Sequence, residues 1–437
     1  MPYMLSMSSV TGSGKKGRSF RVTADLKRKL LLTLAVILVY RVGAYIPVPG
    51  IPVVDLASSY GKDSAGFAAI NALNMFSGGA LSRMSLFALG TMPYVTSQII
   101  MQMLGSVVPA IGDITKDGES GRRTVTRWTR YVTILVSVIN AIAYLFMFRG
   151  WGINIQASGV PYPVSVAMIV FGMVVGALVV MWLGEVITQH GIGNGVSMLI
   201  GINILSGLPS AIATAFSVGE YGSVIAGVTI LVAAAIVPLI VLVERGQRRV
   251  PITYSKHVSG RSVMGGGSTY LPIKVNTAGV VPIIFASTVL YIPAQLAIFF
   301  PDVAWVQSLS VTLSSGWVNW LLSAVLIIFF SYFYAEMVFD TDETAEQIKR
   351  AGGFVPGFRP GEATAKYLRH IIDHITLPGA IFMALLAVVP SIVMTFTGSS
   401  LASTFGGTSM LILVGVVIDT MGAVETQMQD YQGFFAA

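Results

Sequence analysis

An all-α polytopic membrane protein is the fold class that this sequence predicts, with ten transmembrane helices in two five-helix halves related as an inverted repeat. Three observations lead there. The chain of 437 residues is 54% hydrophobic and 11% charged, with a mean hydropathy of +0.76, whereas soluble domains carry about 25% charged residues. Its apolar residues gather into ten segments of spanning length. Its basic residues fall almost entirely between alternate segments, which is how a chain that crosses a membrane repeatedly records its orientation.

The segments lie at 30–46, 84–104, 131–148, 164–183, 195–216, 223–243, 276–299, 317–338, 375–396 and 408–424. The first follows a polar, basic stretch (1–26) and runs into Tyr40-Arg41 without a small-residue cleavage site, so it reads as an anchor and not as a removed signal peptide. Before the second, the apolar piece Phe67 to Phe76 has about ten residues against the roughly 20 that a span needs. Ser77-Gly78-Gly79 ends it. Broken backbone at membrane depth is tolerated only where protein or a water-filled cavity surrounds it, so this piece predicts a cavity. In the fourth segment, Gly172-x-x-x-Gly176 places two small residues on one face and permits close packing. The second and seventh segments carry Pro93 and Gly279/Pro282 in matching places. Five spans in each half reverse the topology of the second half, which gives halves 27–216 and 217–425 and a tail 426–437.

Seven Lys and Arg residues precede the first span, five follow the second, six follow the sixth and five follow the eighth; only Arg41, Lys62, Arg83 and Arg149 lie elsewhere. Basic short loops stay in the cytoplasm, so both termini are expected there. The loops 244–274 and 339–374 exceed what a turn requires and contain the turn-prone runs Gly265-Gly266-Gly267 and Phe354 to Gly361. They are expected to project from the membrane.

The residue types also exclude chemistries. With no cysteine there is no disulfide and no thiol nucleophile. No GxxxxGK[ST] loop offers an ATP site, and the spans hold neither a Ser/His/Asp constellation nor a carboxylate pair, so neither an enzyme nor a cofactor is expected. His370 and His374 have a spacing that aligns two imidazoles on a helix, with Asp373 between them, but a third ligand is lacking and no metal site is assigned. Arg41, Arg83, Glu185, Glu336, Asp419 and Glu425 all sit near span ends. The cavity is therefore lined mainly by apolar groups, which suits a hydrophobic constriction that closes by dewetting. A secondary transporter of a small solute would share the ten helices, the broken helix and the repeat. It would normally place a charge near the midplane, and the sparse midplane charge favours a channel.

The stretches NMFSGGALSRMSLFALGTMPYVTSQIIMQML (74–104), GEVITQHGIGNGVSMLI (184–200), VERGQRRVPITYSK (243–256), LPIKVNTAGVVPIIFAS (271–287), FVPGFRPGEAT (354–364) and FGGTSMLILVGVVIDT (405–420) resemble the SecY family, central subunits of the bacterial protein-conducting channel. The resemblance runs from about residue 25 to the last span, in the expected order. It implies a clamshell of two five-helix halves around a central hourglass pore in the cytoplasmic membrane. The waist would be a ring of Thr91, Val95, Val196, Ile200, Ile284 and Ile412. A plug at about 66–79 (Phe67, Ile70, Leu73, Met75, Phe76, Gly78, Gly79) would cover it, with the glycines as hinge. Spans two and three would face seven and eight as a lateral gate for signal sequences and for membrane helices leaving to lipid. Arg248, Arg249, Lys256 and Arg359 match loop positions that meet the ribosome and the SecA motor, and SecE and SecG are the implied partner subunits. The chain departs from the family pattern at Gln189-His190, at Thr91, Val95 and Val196 where isoleucine is common, and at Gly415, where a larger residue is usual one turn beyond Ile412. These departures predict a less tightly sealed waist.

Overall fold

The computed structural model describes residues 24–49, 74, 77–116, 118–150, 161–217, 222–254, 257–259, 262–264, 268–277, 279–300, 303–314, 316–396 and 407–434. Each of the ten apolar segments coincides with a helix: α1 (Ala24–Gly43), α2 (Met92–Val107), α4 (Gly118–Gly150), α5 (Tyr162–His190), α6 (Gly195–Ser217), α7 (Gly222–Glu244), α8 (Val281–Phe299), α10 (Gly316–Val338), α12 (Glu362–Phe396) and α13 (Gly407–Phe434). Three shorter helices lie between them: α3 (Pro109–Lys116), α9 (Ala304–Ser314) and α11 (Thr341–Arg350). Five helices, α4, α5, α10, α12 and α13, are each long and apolar enough to cross a membrane, and α6, α7 and α8 contain shorter apolar stretches.

The start of the second segment moves inward. The second segment is not helical from residue 84; Met84 has a positive φ of 47°, residues 79–91 are mostly turn, and α2 begins only at Met92. Pro93 explains the start, since its fixed φ and missing N–H suit the first turn of a helix and not its interior.

The chain forms two compact units, one built from 1–61, 73–206 and 416–437, the other from 62–72 and 207–415. In the first, α4 packs on α2 and α5, and α1 packs on α5. Tyr40, Ala44, Ala80, Phe87, Val180, Leu183, Ile187 and Leu199 make its core, with the Tyr40 and Phe87 rings stacked 5.6 Å apart. The small-residue face of α5 receives the irregular chain after Ala80 and not a second helix: the Leu86 carbonyl lies against Gly176, and Val48 Cγ1 would meet a Cβ at Gly172 at 3.4 Å.

In the second unit α10 packs on α12 and α8, and α7 packs on α12. The two long loops contain strands, and the Gly265-Gly266-Gly267 run of the first lies outside the described residues. Strands β1 (Gln247–Tyr254), β2 (His257–Ser259), β3 (Ser262–Met264) and β4 (Ser268–Lys274) fill the first, and β5 (Gly353–Phe354) lies in the second. The order β4-β1-β5 joins both loops into one antiparallel sheet, with Val250 opposite Leu271 and Thr253 opposite Phe354. Strict alternation creates its buried face: Val250, Ile252, Leu271 and Ile273 turn inward onto Ile348, Leu368 and Ile371, while Arg249, Pro251 and Pro272 point away. Residues 362–374 of the 339–374 segment are helical and form the first part of α12.

Asp340 caps α11, its carboxylate accepting the N–H groups of Asp342 and Glu343 at 3.0 Å. Replacing it with alanine should destabilise α11 by about 1 kcal/mol. Faster amide exchange across 341–350, with the transmembrane helices unaffected, would register the loss.

The candidate constriction and docking loops

All six residues assigned to the waist are buried, none more than 8% exposed. In the first unit, Thr91 is the N-cap of α2 and its carbonyl accepts the N–H of Val95 at 3.1 Å. Val196 and Ile200, four apart on α6, share a helix face, and Val196 packs against α5 at Gly184, where an added Cβ would come within 3.2 Å of its Cγ2. In the second unit, Ile284 lies in the first turn of α8 and Ile412 in α13. Side chains exposed to lipid would not be covered by protein, so the burial favours an interior position for all six.

Of the plug residues, Phe67, Ile70, Leu73, Met75 and Phe76 lie outside the described residues, as does Lys256. Gly78 and Gly79 have φ of +64° and +85°, a region that only glycine enters without strain. The Gly79 N–H donates to the Asn74 carbonyl at 3.0 Å, and Leu81 N–H donates to the Ser77 hydroxyl at 3.1 Å. Arg41, whose position near a span end gave no role, donates to Ser206 Oγ at 3.0 Å and to the Gly78 carbonyl at 3.4 Å. Arg83 covers the Tyr45 ring at 4.3 Å. The half-buried Arg41 is thus satisfied by dipoles, and the exposed Arg83 gains a π face.

The arginines that the resemblance assigns to partner contacts stand on ordered supports. Arg248 and Arg249 are exposed at the start of β1. Arg359 is exposed on the turn after β5, where Phe358 stacks on Tyr367 at 4.0 Å and the Thr364 hydroxyl donates to the Arg359 carbonyl at 2.9 Å. The His370 and His374 rings lie 4.0 Å apart on α12, tilted by 46°.

Sequence reasoning missed several groups. Glu244, at the end of α7, is only 4% exposed and accepts a hydrogen bond from Asn276 Nδ2 at 2.7 Å; the same nitrogen donates to the Gly279 carbonyl at 2.9 Å. A buried carboxylate stands out only after folding, because Glu244 lies at a span end beside Arg245 in the sequence. Glu185 takes a bidentate bond from Arg130, with Nε at 3.0 Å and Nη2 at 2.7 Å. Gly415 leaves no void, since the Val280 side chain occupies the space its Cβ would fill.

Long apolar helices joined by a basic antiparallel sheet define a multi-pass helical membrane protein. The SecY family profile matches residues 85–421. The "Protein translocase subunit SecY" of Streptomyces coelicolor is 40% identical over 441 residues, covering 95% of this chain and 98% of that protein. Its Mycobacterium tuberculosis namesake is 39% identical over 434 residues, covering 94% and 97%. The chain belongs to the SecY family. Its fold matches a solved structure described as "The structure of a protein conducting channel", with a TM-score of 0.62 at 19% identity over 92% of this chain and 93% of that one. It also matches "Sec61 in the Canine ribosome-channel complex from the endoplasmic reticulum", with a TM-score of 0.59 at 18% identity over 92% and 93%.

Proposed function

We propose that this protein is the pore subunit of a bacterial protein-conducting channel in the cytoplasmic membrane. Unfolded preproteins cross through it, and apolar segments leave sideways into lipid. The observation that carries this reading is the full-length match to translocase subunits, nearly end to end on both chains. The burial of Thr91, Val95, Val196, Ile200, Ile284 and Ile412 supports their role as an apolar waist, which closes against ions by dewetting and widens around a passing chain.

Both termini are cytoplasmic in this reading, following the basic loops. The five-plus-five halves, the plug at 66–79 and the lateral gate rest on the family resemblance. Energy comes from outside the chain, from a SecA-type ATPase or from the ribosome, since the sequence has no ATP-binding loop. SecE-type and SecG-type subunits complete the assembly. The chain itself is not an enzyme.

Reconstitution of the purified protein with those partners and SecA tests the proposal. Protease-protected preprotein inside the vesicles is the expected result. Saturable uptake of a small solute without preprotein transport would overturn it in favour of a secondary transporter.

A further inference from the structure

Helices α2 and α8 begin in the same way. Gly90 (φ 57°) precedes the N-cap Thr91 (φ −87°, ψ −10°), and Pro93 follows in the first turn. Gly279 (φ 62°) precedes the N-cap Val280 (φ −84°, ψ −10°), and Pro282 follows at the same distance. In each case the cap carbonyl accepts the N–H four residues on, Val95 at 3.1 Å and Ile284 at 3.2 Å, and both of those residues are assigned to the waist. The repeat therefore pairs Val95 with Ile284 and Thr91 with Val280. The resemblance assigned Thr91 to the ring and left Val280 out.

A second observation bears on the same residue. Val280 is 2% exposed and fills the space beside Gly415 on α13. If successive spans reverse direction, α8 and α13 are antiparallel. From the Val280–Gly415 contact, Ile284 lies four residues along α8, about 6 Å, and Ile412 lies three residues back along α13, about 4.5 Å. Both steps go the same way and stay on one helix face. The contact thus puts Ile284 and Ile412 at one level.

We propose that Val280 is a further residue of the constriction: it is the counterpart of Thr91, and it supplies the bulk that Gly415 omits. This rests on the channel reading above. It also replaces the expectation that Gly415 loosens the seal, because the missing volume is supplied from the facing helix.

A size-swap cycle on the full-length protein, reconstituted with its partner subunits, tests this by closed-state ion conductance and by thermal unfolding. Val280→Gly should raise the resting conductance, and adding Gly415→Val should bring it back to within about twofold of wild type. Gly415→Val alone should disturb the packing, since two valines cannot share the space, giving a coupling of about tenfold between the positions. Additive effects on conductance would overturn the proposal. Coupling in thermal unfolding without coupling in conductance would do the same, leaving a packing contact outside the constriction. Failure of every protein, wild type included, to carry preprotein would instead remove the channel reading, and the unfolding cycle would still report on the contact.

Discussion

Replacing Gly176 by valine is expected to leave little folded protein in the membrane, whereas alanine at Gly172, one turn earlier on the same face of α5, is expected to be tolerated. The two glycines look equivalent in sequence but meet different neighbours. At Gly176 the obstacle is the Leu86 backbone carbonyl. That backbone is held in place, because the Leu86 N–H donates to the Ile46 carbonyl at 2.7 Å and Val48 N–H donates to the Met84 carbonyl at 3.0 Å. A side chain at 176 must break these bonds or push α5 away, a loss of about 3 kcal/mol or more. At Gly172 a Cβ would meet the Val48 Cγ1 at 3.4 Å, near ordinary contact, so alanine should cost less than about 1 kcal/mol. Thermal unfolding in detergent, read with the yield of protease-resistant protein, separates the cases. Equal losses at both sites would mean that Leu86 is not seated on α5.

This contrast marks what the sequence could convey. Ten apolar segments were legible because lipid imposes a length and a composition on every crossing. The start of α2 was not, since Met84 to Leu89 is as apolar as a helix would be and only the geometry of Gly90 and Pro93 places the boundary. The strands in the 244–274 loop did leave a signal: Val250 and Ile252 alternate with Arg249 and Pro251, and Leu271 and Ile273 with Pro272. Charge dominated the reading of that loop and hid the alternation. The site divides similarly. Gly78 and Gly79 announced a break by their composition, but that Arg41 donates to the carbonyl of Gly78 depends on a contact between residues 37 apart in the chain. The filling of Gly415 by Val280 joins positions still farther apart, so no local pattern could have revealed it.

The sheet that unites the two loops also makes their proposed partners separable by mutation. Paired strands direct opposed residues to the same side, so Arg248 shares a face with Ile273, and Arg249 lies on the other face with Pro272. The hairpin therefore carries exposed positive charge on both sides at the start of β1. If these groups contact ribosomal RNA phosphates, each contact contributes about 0.9 to the slope of log affinity against log salt. Arg248→Ala with Arg249→Ala should then lower the slope by about 1.8 and weaken ribosome attachment most at low salt. Because neither side chain is in the buried sheet core, folding should be unaffected, and thermal unfolding provides that control. Arg359 projects from the turn after β5, where the Phe358–Tyr367 stack and the Thr364 hydroxyl fix the backbone independently of β1. Arg359→Glu should therefore abolish motor-driven export while leaving ribosome attachment and its salt slope as in wild type. An unchanged slope in the double alanine variant would move the phosphate contacts off β1, and a joint loss of both activities in Arg359→Glu would mean that one shared surface serves the two partners.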